Sequence, residues 1–575
     1  MCFSQDTNLE RLGKQPINRR LRRQTERVSK SEQTFVFKAT KKAIFKTCPP
    51  DIANQAINGY YRSPTDNTSA EEDFFKTDQP YHDIPRDHHY HRALRVVEKM
   101  FRPSRRLRPI AFPDLRYYPW SLNVSAEAPY RESDKWYEYV KQKHREGEVD
   151  NERLSFHNLY DELFSENRRL IHLIKDGEPP FWTDDGNPIT YEFTYLHSRA
   201  HMVSSDKPPK IRAVFGVPKL LLMAENMFIW NLQKEYLNRR VNKGPLLWGY
   251  ETFRGGWTHL VYRLCGKQIN SILSADWSGF DHYALHETID DIHNIWRNWF
   301  DFDLGYEPSV SNNHDYSHTE TDETRIQRLW EWMCYSIKHT PIKAESGNMY
   351  RWRFNGFASG FQQTQLLGSF INAVYLLTCL SACGINIDSD HFQALFQGDD
   401  SISTFPERVD FTTFIPNVSN EAKRRFNAIL SVDKTSYGRW FDGIEVLSYT
   451  YRGGFAIRDP AGLLAHLLYP ERPKRANEIA ASCIGIAQAS MGIRCVYDAC
   501  LDLFTFLVKE LKIEPYFPET DVNKPFKWWE PTLRYFPTFE ECVLQNFEVA
   551  FRDESIKNRL WPTKPVGNGF YFLSP

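Results

Sequence analysis

Asp399 and Asp400 stand side by side in the stretch ALFQGDDSIST (394–404), directly after Gly398. Adjacent carboxylates repel one another and favour neither helix nor strand, so a solvated turn is the plainest explanation for them. A third acid argues for chemistry instead: Asp276 follows the apolar run QINSILSA (268–275), and Asp281 closes the short WSGF turn behind it. If the two segments share a sheet, Asp276 and Asp399 converge on one small site. Carboxylates gathered that closely need cations to neutralise them, and hard, oxygen-seeking Mg²⁺ or Mn²⁺ suits such a donor set. Two ions roughly 3.5–4 Å apart can activate an attacking hydroxyl and steady a leaving pyrophosphate during in-line displacement.

Other polar groups fall around these acids in a fixed order. Lys207, Lys210 and Arg212 in DKPPKIRAVFGVPK (206–219) lead into an apolar strand and could neutralise a triphosphate. Taken alone this is a weak signal, because basic residues beside a strand are usually just solvated. Between the two acidic segments lies NGFASGFQQTQLLGSFIN (355–372), a Ser359–Gly360 loop feeding a helix with Thr364 and Asn372. Their small polar groups could hydrogen-bond a ribose or a template strand. After the acidic pair come Lys434 in SVDKTSYG (431–438) and a hairpin-like run, EVLSYTYRGG (445–454).

The elements that must hold these residues are legible locally. QINSILSA reads as a strand that delivers Asp276 at its C-terminal end. Behind it Leu285, Ile289, Ile292, Trp296 and Trp299 recur at spacings of four, three, four and three, one face of an amphipathic helix, with Asp281 near the start of that helix. HFQALFQGDDSISTF (391–405) reads as two short strands joined by the Gly-Asp-Asp turn. Residues 355–387 carry no charge and are long enough to suggest a membrane span, but Gly360, Gln362, Gln363, Thr364, Gln365, Asn372 and Gly384 make a buried core helix the better reading.

Composition bounds the rest. A chain of 575 residues with 15% aromatics can bury several cores. Its formal charge of −1 hides the basic stretches RLGKQPINRRLRRQTERVSK (11–30) and FRPSRRLRP (101–109), so nucleic acid is not excluded. The start lacks an apolar signal region, and the ten cysteines form no C-x-x-C pair, which together fit a reducing, intracellular setting. Residues 1–60 read as a basic extension, an arm rather than a domain, with one strand at TFVFKA (34–39). The segment HDIPRDHHYHR (82–92) could suggest zinc, but its histidines read better as part of a polar loop. Loops are expected at 176–188 and 311–325, and a Trp/Phe/Pro-rich tail at the C-terminus.

As a set, D-x4-D, then S-G-x3-T followed by N, then G-D-D, preceded by K-x-R and G-x-P and followed by a lone Lys and a hairpin, resembles the right-hand RNA-dependent RNA polymerases of RNA viruses. ADWSGFD, SGFQQTQLLGSFIN and FQGDDS look most like those of the partitiviruses, whose genomes are segmented double-stranded RNA. The matching motifs span residues 199–454. The resemblance implies an α+β right hand whose antiparallel palm sheet is backed by helices. It implies a basic N-terminal extension (1–60), fingers with N-terminal palm elements (61–270), palm (271–300), a fingers insertion (301–350), palm again (351–452), and a thumb with tail (453–575). Asp276 and Asp399 would bind two metal ions, Mg²⁺ or Mn²⁺, with Asp400 an auxiliary ligand or a bystander. Asp281 would recognise the ribose 2′-hydroxyl together with Thr364 and Asn372, and Ser359 and Gly360 would form the flexible loop beside the nascent base pair. Arg199, Lys210 and Arg212 would line the nucleotide path, and Lys434 would give a proton to pyrophosphate. One departure stands out: where many relatives carry Asn four residues after the Thr, this chain has Gly368, and Asn372 lies one helical turn further on. Implied partners are RNA template and product, ribonucleoside triphosphates and a viral capsid protein, inside a virion in the host cytoplasm, with no membrane.

Two other readings remain open at this stage. A reverse transcriptase uses the same two-metal sheet, but its turn usually resembles Tyr-x-Asp-Asp and a bulky residue faces its sugar. Here the turn is Gln-Gly-Asp-Asp and Asp281 can accept a hydroxyl. A catalytically idle RNA-binding or capsid-associated protein would need only the basic leader and the aromatics, and leaves the three aspartates without a purpose.

Overall fold

The computed structural model describes residues 7–18, 28–65, 67–238, 243–250, 252–310, 320–517 and 534–547. At its centre the Gly398–Asp399 turn joins Gln393–Gln397 to Asp400–Phe405, with Gln397 paired to Asp400. Gly398 takes φ +60 at the first turn position, which a glycine adopts without strain and which suits the twist of a two-residue hairpin. The next strand inward is Ser271–Ser274, with Ser403 opposite Leu273 and Phe405 opposite Ser271, and Ser436–Gly438 closes the far edge. All three pairings in this four-stranded sheet are antiparallel.

Side-chain alternation along these strands covers the sheet on both faces. Leu273, Ala394, Phe396 and Phe405 enter the largest core, and Ile272, Leu395 and Ile402 enter another with Trp257, Leu260 and Tyr449. The uncharged helix Thr364–Ala382 lies in the larger core, so its membrane-like composition reflects burial in protein: 89% of its apolar window is buried. The helix His286–Arg297 buries Ile289, Ile292 and Trp296 as the sequence spacing requires.

A second, five-stranded sheet has the order Leu9–Lys14, Asn348–Trp352, Ile342–Lys343, Thr194–Ala200 and Ile211–Gly216. A three-stranded sheet follows the first one, from Glu445–Val446 through Tyr449–Arg452 to Phe455–Ile457.

Several expectations need correction. The stretch 34–39 is helical, within Lys30–Thr47, because its buried residues Val36, Thr40, Ala43 and Ile44 follow a helical period and Ser29 caps the N-terminus by accepting the Glu32 N–H. The N-terminal residues are not a free arm: Leu9–Lys14 is an edge strand, and Lys30–Thr47 and Pro50–Asn58 share a core with Pro460–Leu468, Ala476–Ala489 and Arg494–Phe504. The boundary drawn at 350/351 falls inside the strand Asn348–Trp352. Asp281 sits in the short 3-10 turn Phe280–Tyr283, five residues before the helix at His286, and so is not part of that helix's first turn. Asp87 and the histidines after it open the helix His88–Phe101, with Asp87 as its cap. The basic residues 19–27, residues 311–319 of the expected loop and most of the C-terminal tail lie outside the described residues, and the rest of that loop, 320–325, is helical as the start of Glu320–His339.

Candidate active site

The hairpin turn is gripped from below by one helix. Ser369 Oγ accepts the Gly398 N–H at 2.9 Å, and Asn372 Nδ2 donates toward the carbonyl oxygens of Gly398 (3.0 Å), Asp399 (2.9 Å) and Asp400 (3.3 Å). The backbone of Asp276 is fixed by the loop that carries Lys434: Ser431 N–H donates to Asp276 O at 2.8 Å, and Asp276 N–H donates to Thr435 Oγ1 at 3.3 Å. Ser274 Oγ reaches the carbonyls of Ser401 (3.0 Å) and Glu445 (2.7 Å), tying the sheet to the hairpin that follows.

This scaffold brings Asp399 within electrostatic reach of Asp276, Asp400 and Asp281. Burial lifts Asp276 above the ordinary carboxylate range, Lys434 opposes the shift and Asp399 adds to it. Asp400 is pushed up to about 7, first by burial and then by Asp399, Asp276 and Glu445. Water reaches Asp281, yet the crowded walls around it desolvate its carboxyl and, with Asp399, push it up to about 6. Asp399 raises the carboxyls around it, and oxygen donors of this kind suit hard divalent cations, although among the described residues no three acids already stand together as a metal-binding group.

The basic residues approach from the five-stranded sheet. Lys210 and Arg212 both act on Asp276. Burial, Arg212 and Lys434 together lower Lys210, a sign of cations massed without enough anion between them. Arg199 lies directly across from Arg212 in the strand pair, and its guanidinium is held by Glu471, with Nε 2.9 Å from Oε1. Ser359 is exposed, whereas Gly360 is pressed against the strand that carries Arg212. Thr364 Oγ1 donates to Ala358 O at 2.7 Å and so closes the loop on itself. Asn372, expected at the sugar, is fully buried, and its amide reaches the turn carbonyls.

Sequence reasoning missed three supporting acids. Asp73 accepts the Ala213 N–H at 2.9 Å and a Lys76 hydrogen bond at 2.8 Å, and lies 3.7 Å from His282 Nε2. Burial would raise Asp73, but His282, Lys76 and the Ala213 N–H hold it well below the usual range. Glu225, fully buried and pushed up to about 8 by that burial, accepts the N–H groups of Gln362 and Gln363 (both 3.2 Å) and so anchors the start of the helix behind the Ser-Gly loop. Glu445 adds its charge beside Asp400. None of the three was legible in its role, since apart from the Asp73–Lys76 pair each acts on residues well over a hundred positions away or across a separate hairpin.

Antiparallel strands that gather carboxylates, faced by cations on a neighbouring sheet, define a centre for phosphoryl transfer. A family model described as viral RNA-dependent RNA polymerase matches residues 202–487. The RNA-directed RNA polymerase of White clover cryptic virus 1 is 30% identical over 607 aligned positions, covering 97% of this chain and 96% of that protein. The RNA-directed RNA polymerase of Atkinsonella hypoxylon virus is 26% identical over 459 positions, covering 72% and 65%. The chain therefore belongs to the viral RNA-dependent RNA polymerases. It is an enzyme that makes RNA from nucleotides on an RNA template, on the right-hand fold that the family implies, and polymerases of this family work with divalent metal ions.

The raised acids set a pH dependence. Asp400 binds its proton more tightly folded (about 7) than unfolded (roughly 3.9), so its ionisation costs stability that is absent below the lower value and complete above the higher one. In metal-free buffer Asp400→Asn is expected to melt about 2 °C above the wild type at pH 8 and together with it near pH 4. An equal difference at both pH values would contradict this account.

Proposed function

We propose that Asp276 and Asp399 hold two divalent ions, Mg²⁺ or Mn²⁺, with Asp400 as an auxiliary ligand, and that the chain extends RNA 5′→3′ there with release of pyrophosphate. The observation that carries the reading is the meeting of Asp276 and the Asp399 turn on adjacent antiparallel strands, where their charges act on each other. When bound, the ions supply activation of the attacking hydroxyl and charge stabilisation for the leaving group. Lys210 and Arg212 draw the triphosphate toward the carboxylates, with Arg199 beside them once its pair with Glu471 opens. Lys434 gives a proton to pyrophosphate, a role supported by its charge acting on Asp276. Ser359, Gly360 and Thr364 shape the loop beside the nascent base pair.

In this reading the palm comprises the four-stranded sheet with its flanking helices, and the fingers comprise the five-stranded sheet with the elements before residue 271. The helices after residue 453 make the thumb, which the N-terminal helices join. The finer assignment, double-stranded RNA transcribed and replicated inside a cytoplasmic particle beside a capsid protein, rests on the likeness to the partitiviruses. A template-dependent assay with Mg²⁺ and labelled nucleotide, comparing wild type and Asp399→Asn, tests the core of the proposal.

Asp281 is ionised above pH 6 and open to solvent, which suits an acceptor for the ribose 2′-hydroxyl. Losing a hydrogen bond to a charged group is worth about a factor of ten, so Asp281→Ala should lower the preference for ribonucleotides over deoxyribonucleotides by about that factor in a competition assay. Undiminished preference with normal apparent affinity would remove Asp281 from the sugar site.

A further inference from the structure

Asn372 is the one amide in the midst of Phe370, Ile371, Ala373 and Val374, all of them fully buried on the same helix. Burying an amide is costly unless its hydrogen bonds are made, and here both ends are engaged. Trp277 Nε1, which can only donate, lies 2.9 Å from Oδ1, and Nδ2 faces the turn carbonyls, which can only accept, so the orientation of the amide is fixed by its partners. Trp277 directly follows Asp276, and the carbonyls belong to Gly398, Asp399 and Asp400. One side chain thus joins the chain on either side of the carboxylate cluster. Ser369, one turn earlier on the same face, holds the Gly398 N–H, and the turn rests on the helix at Gly368, where an added Cβ would stand 3.5 Å from Gly398 Cα. A methyl group at 368 would meet the turn in ordinary contact, so the grip comes from Ser369 and Asn372 rather than from the missing side chain at 368.

We infer that Asn372 is a positioning residue that ties the Asp276 segment to the Gly398–Asp400 turn and so sets the spacing of the metal-binding carboxylates, rather than a contact to the nucleotide sugar. The inference rests on the carboxylate assignment proposed above, and the experiment separates the two. Four proteins are compared: wild type, Asn372→Ala, Trp277→Phe, which keeps most of the ring packing and removes the N–H donor, and Asp399→Asn. Mn²⁺ binding to each free protein is read by electron paramagnetic resonance, alongside kcat, KM for nucleotide, and ribose over deoxyribose preference.

Loss of a residue that orients metal ligands costs 10- to 100-fold in metal affinity or activity, so Asn372→Ala should weaken Mn²⁺ binding and lower kcat by about 10- to 30-fold, while KM and sugar preference stay within about twofold. Trp277→Phe should move the same quantities in the same direction by less. If Asn372→Ala does not fold by circular dichroism, Trp277→Phe decides alone. Normal Mn²⁺ binding with a lost ribose preference would make Asn372 a sugar contact, and wild-type values throughout would show that the turn holds its place unaided. Either result overturns the inference. Wild-type synthesis and Mn²⁺ binding by Asp399→Asn would instead defeat the carboxylate assignment itself.

Discussion

Asp399→Asn protein is expected to bind RNA as the wild type does and to incorporate ribonucleotides about a thousandfold or more slowly, because the lost quantity is charge at the reacting centre. The substitution keeps the shape of the side chain, and Gly398 still supplies the positive φ that the turn needs. The backbone carbonyl of residue 399 still receives Asn372, so the scaffold has no reason to move. Lys210, Arg212 and Lys434, the cations proposed above to meet RNA and triphosphate, are untouched. Asp276→Asn should behave in the same way, since its backbone is held by Ser431 and Thr435 rather than by its carboxylate. Incorporation of labelled nucleotide and RNA binding by gel shift, measured side by side, check the expectation. Synthesis at a comparable rate in either variant would contradict the assignment.

What could be read in the sequence was whatever local physics decides. The Gly-Asp-Asp hairpin follows from turn chemistry and flanking alternation, and the helix His286–Arg297 from its apolar period. The buried helix Thr364–Ala382 follows from its lack of charge combined with a polar load that lipid would reject. The meeting of Asp276 with the hairpin was legible only through the order of motifs, because pairing across well over a hundred residues leaves no local trace. Asp73 and Glu225 left none at all. Asn372 did leave one, since an amide flanked on both sides by apolar residues must find partners, but the sequence could not say which. Helix geometry argues against the sugar role given to it: Thr364 and Asn372 are about 12 Å apart along the axis, too far to share one ribose hydroxyl. The segment 34–39 misled because a short run of Thr, Phe, Val and Phe has strand-forming residue types, while the helix is set by contacts with the C-terminal helices that a local window does not contain.

Gly360→Ala carries the second large expected effect, through geometry rather than charge. A Cβ on Gly360 would stand 2.2 Å from Phe215 O, 3.1 Å from Phe215 C and 3.2 Å from Val217 Cγ2. The first contact is with backbone, which cannot swing aside as a side-chain tip would, so the loop and the strand Ile211–Gly216 must part by about 1 Å. That strand carries Arg212 and the loop leads into the helix that grips the Asp399 turn, so the displacement falls between the cations and the carboxylates. A misplacement of about 1 Å can cost a hundredfold in rate, and Gly360→Ala is expected to lower kcat/KM by about that factor while RNA binding persists. Gly485→Ala is the control, because a Cβ added there meets nothing within 4 Å. A Gly360→Ala rate within about threefold of wild type would mean that loop and strand slide past each other freely and that their close approach does not set the reacting geometry.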